Sequence, residues 1–96
     1  MGMDFLDFSF RIEKRFGLKI HREDSRMLDA AWTSRKPYDI TAAELHEWVV
    51  KLLKARRLAV PHSSWNRVRL ELAKVVGKPP QAINRDTLVV RDLGFG

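Results

Sequence analysis

The stretch Asp4-Phe5-Leu6-Asp7-Phe8-Ser9-Phe10-Arg11-Ile12-Glu13-Lys14-Arg15-Phe16-Gly17-Leu18-Lys19-Ile20 decides how the rest of the chain is read. Within it, Phe5, Phe8, Ile12 and Phe16 recur at i, i+3, i+7 and i+11. That spacing lays one apolar stripe along a helix from Asp4 to Phe16, with Arg11, Lys14 and Arg15 off the stripe. Asp4 reads as the N-cap, and Asp7 as an acid in the first turn, where the helix dipole favours negative charge. Gly17 supplies the C-terminal stop. Leu18-Lys19-Ile20 then reads as a short extended piece.

Working outward, the clearest amphipathic pattern lies downstream. Leu45, Trp48, Val49, Leu52 and Leu53 fall at i, i+3, i+4, i+7 and i+8, a helix face wide enough to bury. Thr41 caps this helix, and Glu44 three residues on completes a capping box. Lys51, Lys54, Arg56 and Arg57 crowd its last turns, where the dipole favours cations. After the connector Leu58-Ala59-Val60-Pro61-His62, Ser63 or Ser64 caps a third helix that runs to about Val76. Its stripe is Trp65, Val68, Leu72, Val75 and Val76, and Gly77-Lys78-Pro79-Pro80 ends it. Between the first two helices, His21 to Trp32 reads as a short helix, and Ser34-Arg35-Lys36-Pro37-Tyr38-Asp39 as a loop around its proline. The tail from Ile83 to Leu93 is irregular but carries Ile83, Leu88, Val89, Val90 and Leu93, so it is expected to pack along the helices. The fold class is all-α: three main helices, one short helix and a long packed loop, in a single domain spanning residues 1–96.

Composition sets the outer limits. Ninety-six residues lie near the low end of what buries a core unaided. A 45% apolar share argues against disorder. No run approaches the roughly 18 apolar residues of a membrane span. Asp4 and Asp7 interrupt the only apolar stretch near the N-terminus, so no secretory signal is read there and a cytoplasmic location is expected. The chain has no cysteine, which excludes disulfides, thiolate metal sites and thiol nucleophiles. The net charge of +6 lies mostly in the second half. Such an excess reads first as a solvated surface; it attracts nucleic acid, anionic membranes or acidic proteins without choosing among them.

Catalytic and metal chemistry finds no foothold in the pattern. His21, His46 and His62 are scattered, none at the i, i+4 spacing of a helical zinc site. Ser63 and Ser64 after His62 are explained by helix capping. Gly94-Phe95-Gly96 is too short for a phosphate loop. No catalytic residue and no metal ligand is assigned.

A family resemblance gives these segments a common frame. The Asp4–Phe8 stretch followed by Glu13-Lys14-Arg15-Phe16-Gly17-Leu18-Lys19-Ile20 resembles the second helix of acyl and peptidyl carrier proteins. In that family the helix follows an Asp-Ser-Leu motif and ends in Glu-x-x-Phe-Gly-x-x-Ile. Thr41-Ala42-Ala43-Glu44-Leu45-His46-Glu47-Trp48-Val49 resembles the family's last helix. Residues Trp65 to Gly77, then Ile83 to Gly94 with Asp92-Leu93-Gly94, resemble its opening helix and first loop. Residues 1–57 thus stand for the family's second to fourth helices and residues 63–96 for its first helix and loop, a circularly permuted order. The stretch from Asp29 to Asp39 stands as an insertion. Counting back from Glu13 and Phe16 puts the family's modified serine at Gly2. Counting forward from Asp92-Leu93-Gly94 puts it just after Gly96, at the seam between Gly96 and Met1.

The resemblance implies an acyl-carrier-like four-helix bundle and a non-enzymatic role. In the family a serine carries phosphopantetheine; here the position falls on a glycine or a seam, and Ser9 lies about two turns into the helix. No covalent arm is therefore expected, and no other cofactor. The expected role is a carrier-like module binding a partner enzyme, a synthase or acyltransferase, or an acyl chain, in a lipid or polyketide pathway. The partner-binding residues would be Asp4, Asp7, Arg11, Lys14 and Arg15 on the first helix, where the basic residues dilute the family's acidic docking face. Two alternatives stand beside it: a helical adaptor that has lost the carrier role, and a basic nucleic-acid binder, which is disfavoured because Trp48 and Trp65 sit on core stripes. If the 58–62 connector were too short to fold back, a domain-swapped dimer would replace the monomer.

Overall fold

The computed structural model describes residues 3–96. Its helices are α1 (Met3–Phe16), α2 (Arg22–Thr33), α3 (Ala42–Ala55) and α4 (Ser64–Val76), followed by a single 3₁₀ turn at Pro80–Ala82. Among the described residues there is no strand, and no helix is long and apolar enough to cross a membrane. The four-helix, all-α expectation therefore stands.

The amphipathic stripes explain three of these helices. Phe5, Phe8 and Ile12 of α1 are buried, and Phe16 is half-buried against the same cluster. Leu45, Trp48, Val49, Leu52 and Leu53 of α3 are all buried. In α4, Val68, Leu72 and Ala73 point inward, while Trp65, Val75 and Val76 are half-buried, a narrower stripe than the sequence suggests. α4 packs against both α1 and α3, so the 58–62 connector lets one chain close its own core. Gly17 and Gly77 end α1 and α4 at φ +66° and +69°, the left-handed region that a Cβ disfavours.

α2 forms within one residue of the stretch read for it, His21 to Trp32. At 12 residues it is close in length to its neighbours, and Asp29 to Thr33 belong to it rather than to an inserted loop, which is confined to residues 34–40. Only Leu28 and Asp24 of α2 are buried, so its apolar periodicity is faint. Polar contacts add to the apolar packing of Leu28, Ala31 and Trp32. The His21 amide donates to Asp24 Oδ2 at 2.7 Å, capping the start. The Trp48 indole donates to the Asp24 carbonyl at 2.7 Å, and Arg56 pairs with the Asp24 carboxylate.

The start of α1 also differs from its expected form. Asp4 is inside the first turn rather than at the N-cap, and Asp7 lies beyond that turn. Helix α3 starts as read: the Glu44 amide donates to Thr41 Oγ1 at 3.1 Å and the Thr41 amide donates back to Glu44 Oε1 at 3.0 Å. Burial pushes the Glu44 carboxyl up, but bonds from the Thr41 amide and hydroxyl and from Arg35 outweigh it and hold it below its ordinary value.

The C-terminal segment packs as a fifth layer of core, with Ile83, Val89, Leu93 and Phe95 buried. Phe95 sits edge-on to Phe8, centroids 6.5 Å apart, and within 6.3 Å of Trp32. Backbone bonds fasten this segment to α3. The Ala42 and Ala43 amides, orphan donors of the first helical turn, donate to the carbonyls of Thr87 and Arg85 at 2.9 and 3.0 Å. The Val89 amide donates to the Ile40 carbonyl at 2.9 Å. Asp39 completes the junction. Its carboxylate, only 5% exposed, accepts the amides of Ile40 (2.8 Å), Val90 (2.9 Å) and Arg91 (3.0 Å).

Each amide-to-carboxylate bond contributes about 1.5–3 kcal/mol when intact, and water returns part of it when lost. Asp39→Ala is therefore expected to lower the unfolding free energy by about 2–4 kcal/mol in urea titration. A loss below about 1 kcal/mol contradicts the role given to this carboxylate.

Candidate functional site

α1 has two faces, and only one is consumed by the core. On the other, Met3, Leu6 and Phe10 recur at i, i+3 and i+7, and Leu6 and Phe10 are 56% and 60% exposed. Burying such side chains would gain roughly 1.5–3 kcal/mol each, so their exposure together on one helix face makes it a candidate contact surface. Beside them runs a charged strip. Arg11 pairs with Asp7 at 3.2 Å and reaches Glu71 of α4 at 3.8 Å, and Lys74 meets Glu71 at 3.6 Å. Asp7, Phe10, Arg11, Lys14, Arg15 and Glu71 line one surface hollow.

Four of the five residues expected to bind a partner, Asp7, Arg11, Lys14 and Arg15, therefore share one surface, and Asp4 does not join them. Asp4 is engaged elsewhere. Its amide donates to the Gly96 carbonyl at 2.8 Å, and its Oδ2 accepts the Gly96 amide at 2.9 Å. This reciprocal pair resembles a capping box, with the Gly96 backbone taking the part that an N-cap residue plays. The last residue of the chain thus caps its first helix. Gly2, the counted serine position, lies outside the described residues. Ser9 is buried at 8% exposure, its Oγ without a hydrogen-bond partner, so its hydroxyl offers no accessible attachment point.

A second polar cluster joins α3, α4 and the C-terminal segment. His46 Nε2 and Ser64 Oγ are 2.8 Å apart. The His46 ring meets Trp65 edge-on at 5.6 Å, and the Arg85 guanidinium lies 4.7 Å from the Trp65 ring centroid. Ser63 occupies the N-cap position as read but makes no side-chain cap bond, while the hydroxyl of the buried Ser64 is taken by the tertiary contact with His46. Trp65 is half-buried against the edge of the core, and its remaining face stacks Arg85. Among the described residues, no three histidine, aspartate or glutamate side chains converge as a metal site requires.

Sequence reading missed Leu6 and Phe10, although their spacing with Met3 was a usable second stripe. It had no means of finding the His46–Ser64 pair, whose members lie 18 positions apart.

Burial and the nearby Arg85 charge push the His46 imidazole below its ordinary value, with Glu47 opposing. A base whose folded value is depressed favours the folded state while neutral. Stability is thus complete above the unfolded value of 6.5 and is lost as pH falls below it, because the unfolded chain takes up the proton first. Thermal melts of the chain and of His46→Asn between pH 7.5 and 5 check this, about two and a half units. The parent is expected to lose stability more steeply than the variant, and parallel curves contradict the assignment.

Compared with known proteins, the chain matches no family model, no curated protein and no solved structure.

Proposed function

We propose that this chain is a carrier-protein-like helical module in circularly permuted order, without its own phosphopantetheine arm, that docks a partner enzyme of acyl metabolism through the outer face of α1. In this reading α1, α2 and α3 correspond to the family's second to fourth helices, and α4 with the C-terminal segment corresponds to its first helix and first loop.

The observation that carries the reading is the Asp4–Gly96 pair. It joins the ends of the two matched segments: Gly96, two residues after Asp92-Leu93-Gly94, is bonded to the first turn of the helix that the family's serine precedes. That closeness supports the permuted order. The packing of α4 against α1 and α3 further supports the order, since the resemblance requires the family's first helix to pack against its second and fourth. The docking surface follows from exposure and charge together: Leu6 and Phe10 give apolar anchors, and Arg11, Lys14 and Arg15 give orientation.

A re-ordered chain tests the reading. It begins at Ser63, runs to Gly96, continues through one inserted serine into Met3, and ends at Arg57. It restores the family's order and the missing hydroxyl together. Incubated with coenzyme A and a broad phosphopantetheinyl transferase, it is expected to gain one arm by intact mass, while the parent chain gains none. An arm on the parent chain, or a folded re-ordered chain that stays unmodified, contradicts the reading.

A further inference from the structure

Away from α1, the loop between α2 and α3 and the C-terminal segment enclose an open groove of about 670 Å³, within the size range of ligand sites. Tyr38, Pro37, Leu88 and Val90 give it a mostly apolar surface, and Tyr38 is 57% exposed. The cations around it come from both segments: Arg35 and Lys36 from the loop, Arg91 from the tail. Arg35 is taken by Glu44 at 2.6 Å. Among the described residues Lys36 and Arg91 form no ion pair, and both are exposed. Asp39, the one acid in the lining, is occupied by three backbone amides. Its charge is thus directed into the fold rather than into the groove.

We infer that this groove docks a short acidic peptide segment of a partner protein, with an apolar side chain over Tyr38, Leu88 and Val90 and carboxylates toward Lys36 and Arg91. The chemistry favours this occupant over the others. Two unpaired cations on different segments suit two separated anions flanking an apolar group, which a single-headed aliphatic carboxylate lacks. A second copy of this chain carries +6 and meets the groove with like charge. A nucleic acid satisfies the cations but leaves the aliphatic floor, Leu88 and Val90, without a complement. The groove is built from residues 35–39 and 88–91, mostly the loop for which the carrier resemblance has no counterpart. The inference is therefore independent of the α1 docking face.

Fluorescence anisotropy with a labelled peptide Glu-Asp-Leu-Phe-Asp-Glu tests it, against a control with Ser-Ser replacing Leu-Phe. The Leu-Phe peptide is expected to bind on the order of tenfold tighter than the control, and more weakly as salt rises. Lys36→Glu with Arg91→Glu is expected to weaken binding on the order of tenfold, and Tyr38→Ser alone to weaken it measurably, with helical circular dichroism unchanged. Arg15→Glu on α1 leaves binding unaltered. Equal binding of the two peptides, insensitivity to the Lys36 and Arg91 changes, or loss on Arg15→Glu overturns the inference. So does octanoate binding in the groove without peptide binding, or self-association through it.

Discussion

The structure depends on one buried carboxylate that joins two distant parts of the chain. Asp39 sits at the end of the α2–α3 loop, and the amides it accepts from Val90 and Arg91 lie 51 and 52 residues away. Charge-assisted bonds to backbone amides are stronger than neutral ones, and burial denies them a full return to water. Once Val90 and Arg91 are held, the neighbouring bonds from Val89, Ala42 and Ala43 fall into register, and the first turn of α3 has its free amides satisfied by the tail. A segment without regular secondary structure thus completes the core.

Closure at Asp39 has consequences at both ends of the tail. Toward the terminus it sets Leu93 and Phe95 into the core and delivers Gly96 to the first turn of α1, where it caps Asp4. On the outer side it forms the wall of the groove beside Tyr38 and aims the one acid there inward, leaving Lys36 and Arg91 unopposed. The proposed docking face on α1 and the proposed peptide groove are separate surfaces. Both rest on the placement of the tail.

The parts of the fold legible in the sequence are those where apolar periodicity carries the energy. α1, α3 and α4 follow their stripes, and the Thr41–Glu44 capping box forms as its spacing implies. α2 gave a fainter signal because its stripe is short, Leu28, Ala31 and Trp32, and Asp24, Trp48 and Arg56 add polar contacts that no local pattern shows. Asp39 was invisible for a related reason. An aspartate after Pro37-Tyr38 looks like turn chemistry, and nothing local reveals that its acceptors face amides half a chain away. The partner of Ser64 was invisible because a helix start and a tertiary contact compete for the same hydroxyl. Of the candidate site, Asp7, Arg11, Lys14 and Arg15 converge on one surface, but Leu6 and Phe10, its apolar anchors, were passed over because the opposite stripe already accounted for the helix. The closeness of Asp4 and Gly96 was foreshadowed only by motif counts from the two ends, since hydrogen bonding between residues 92 positions apart leaves no periodic trace.

Amide hydrogen exchange at Val90 and Arg91 tests the central claim most directly. If the Asp39 carboxylate holds the tail as an integral part of the core, these two amides exchange only with global unfolding, as slowly as those in the middle of α3 and α4. Exchange at nearly the free-peptide rate, while the helices stay protected, would mean that the tail opens on its own and that the helices form the core without it.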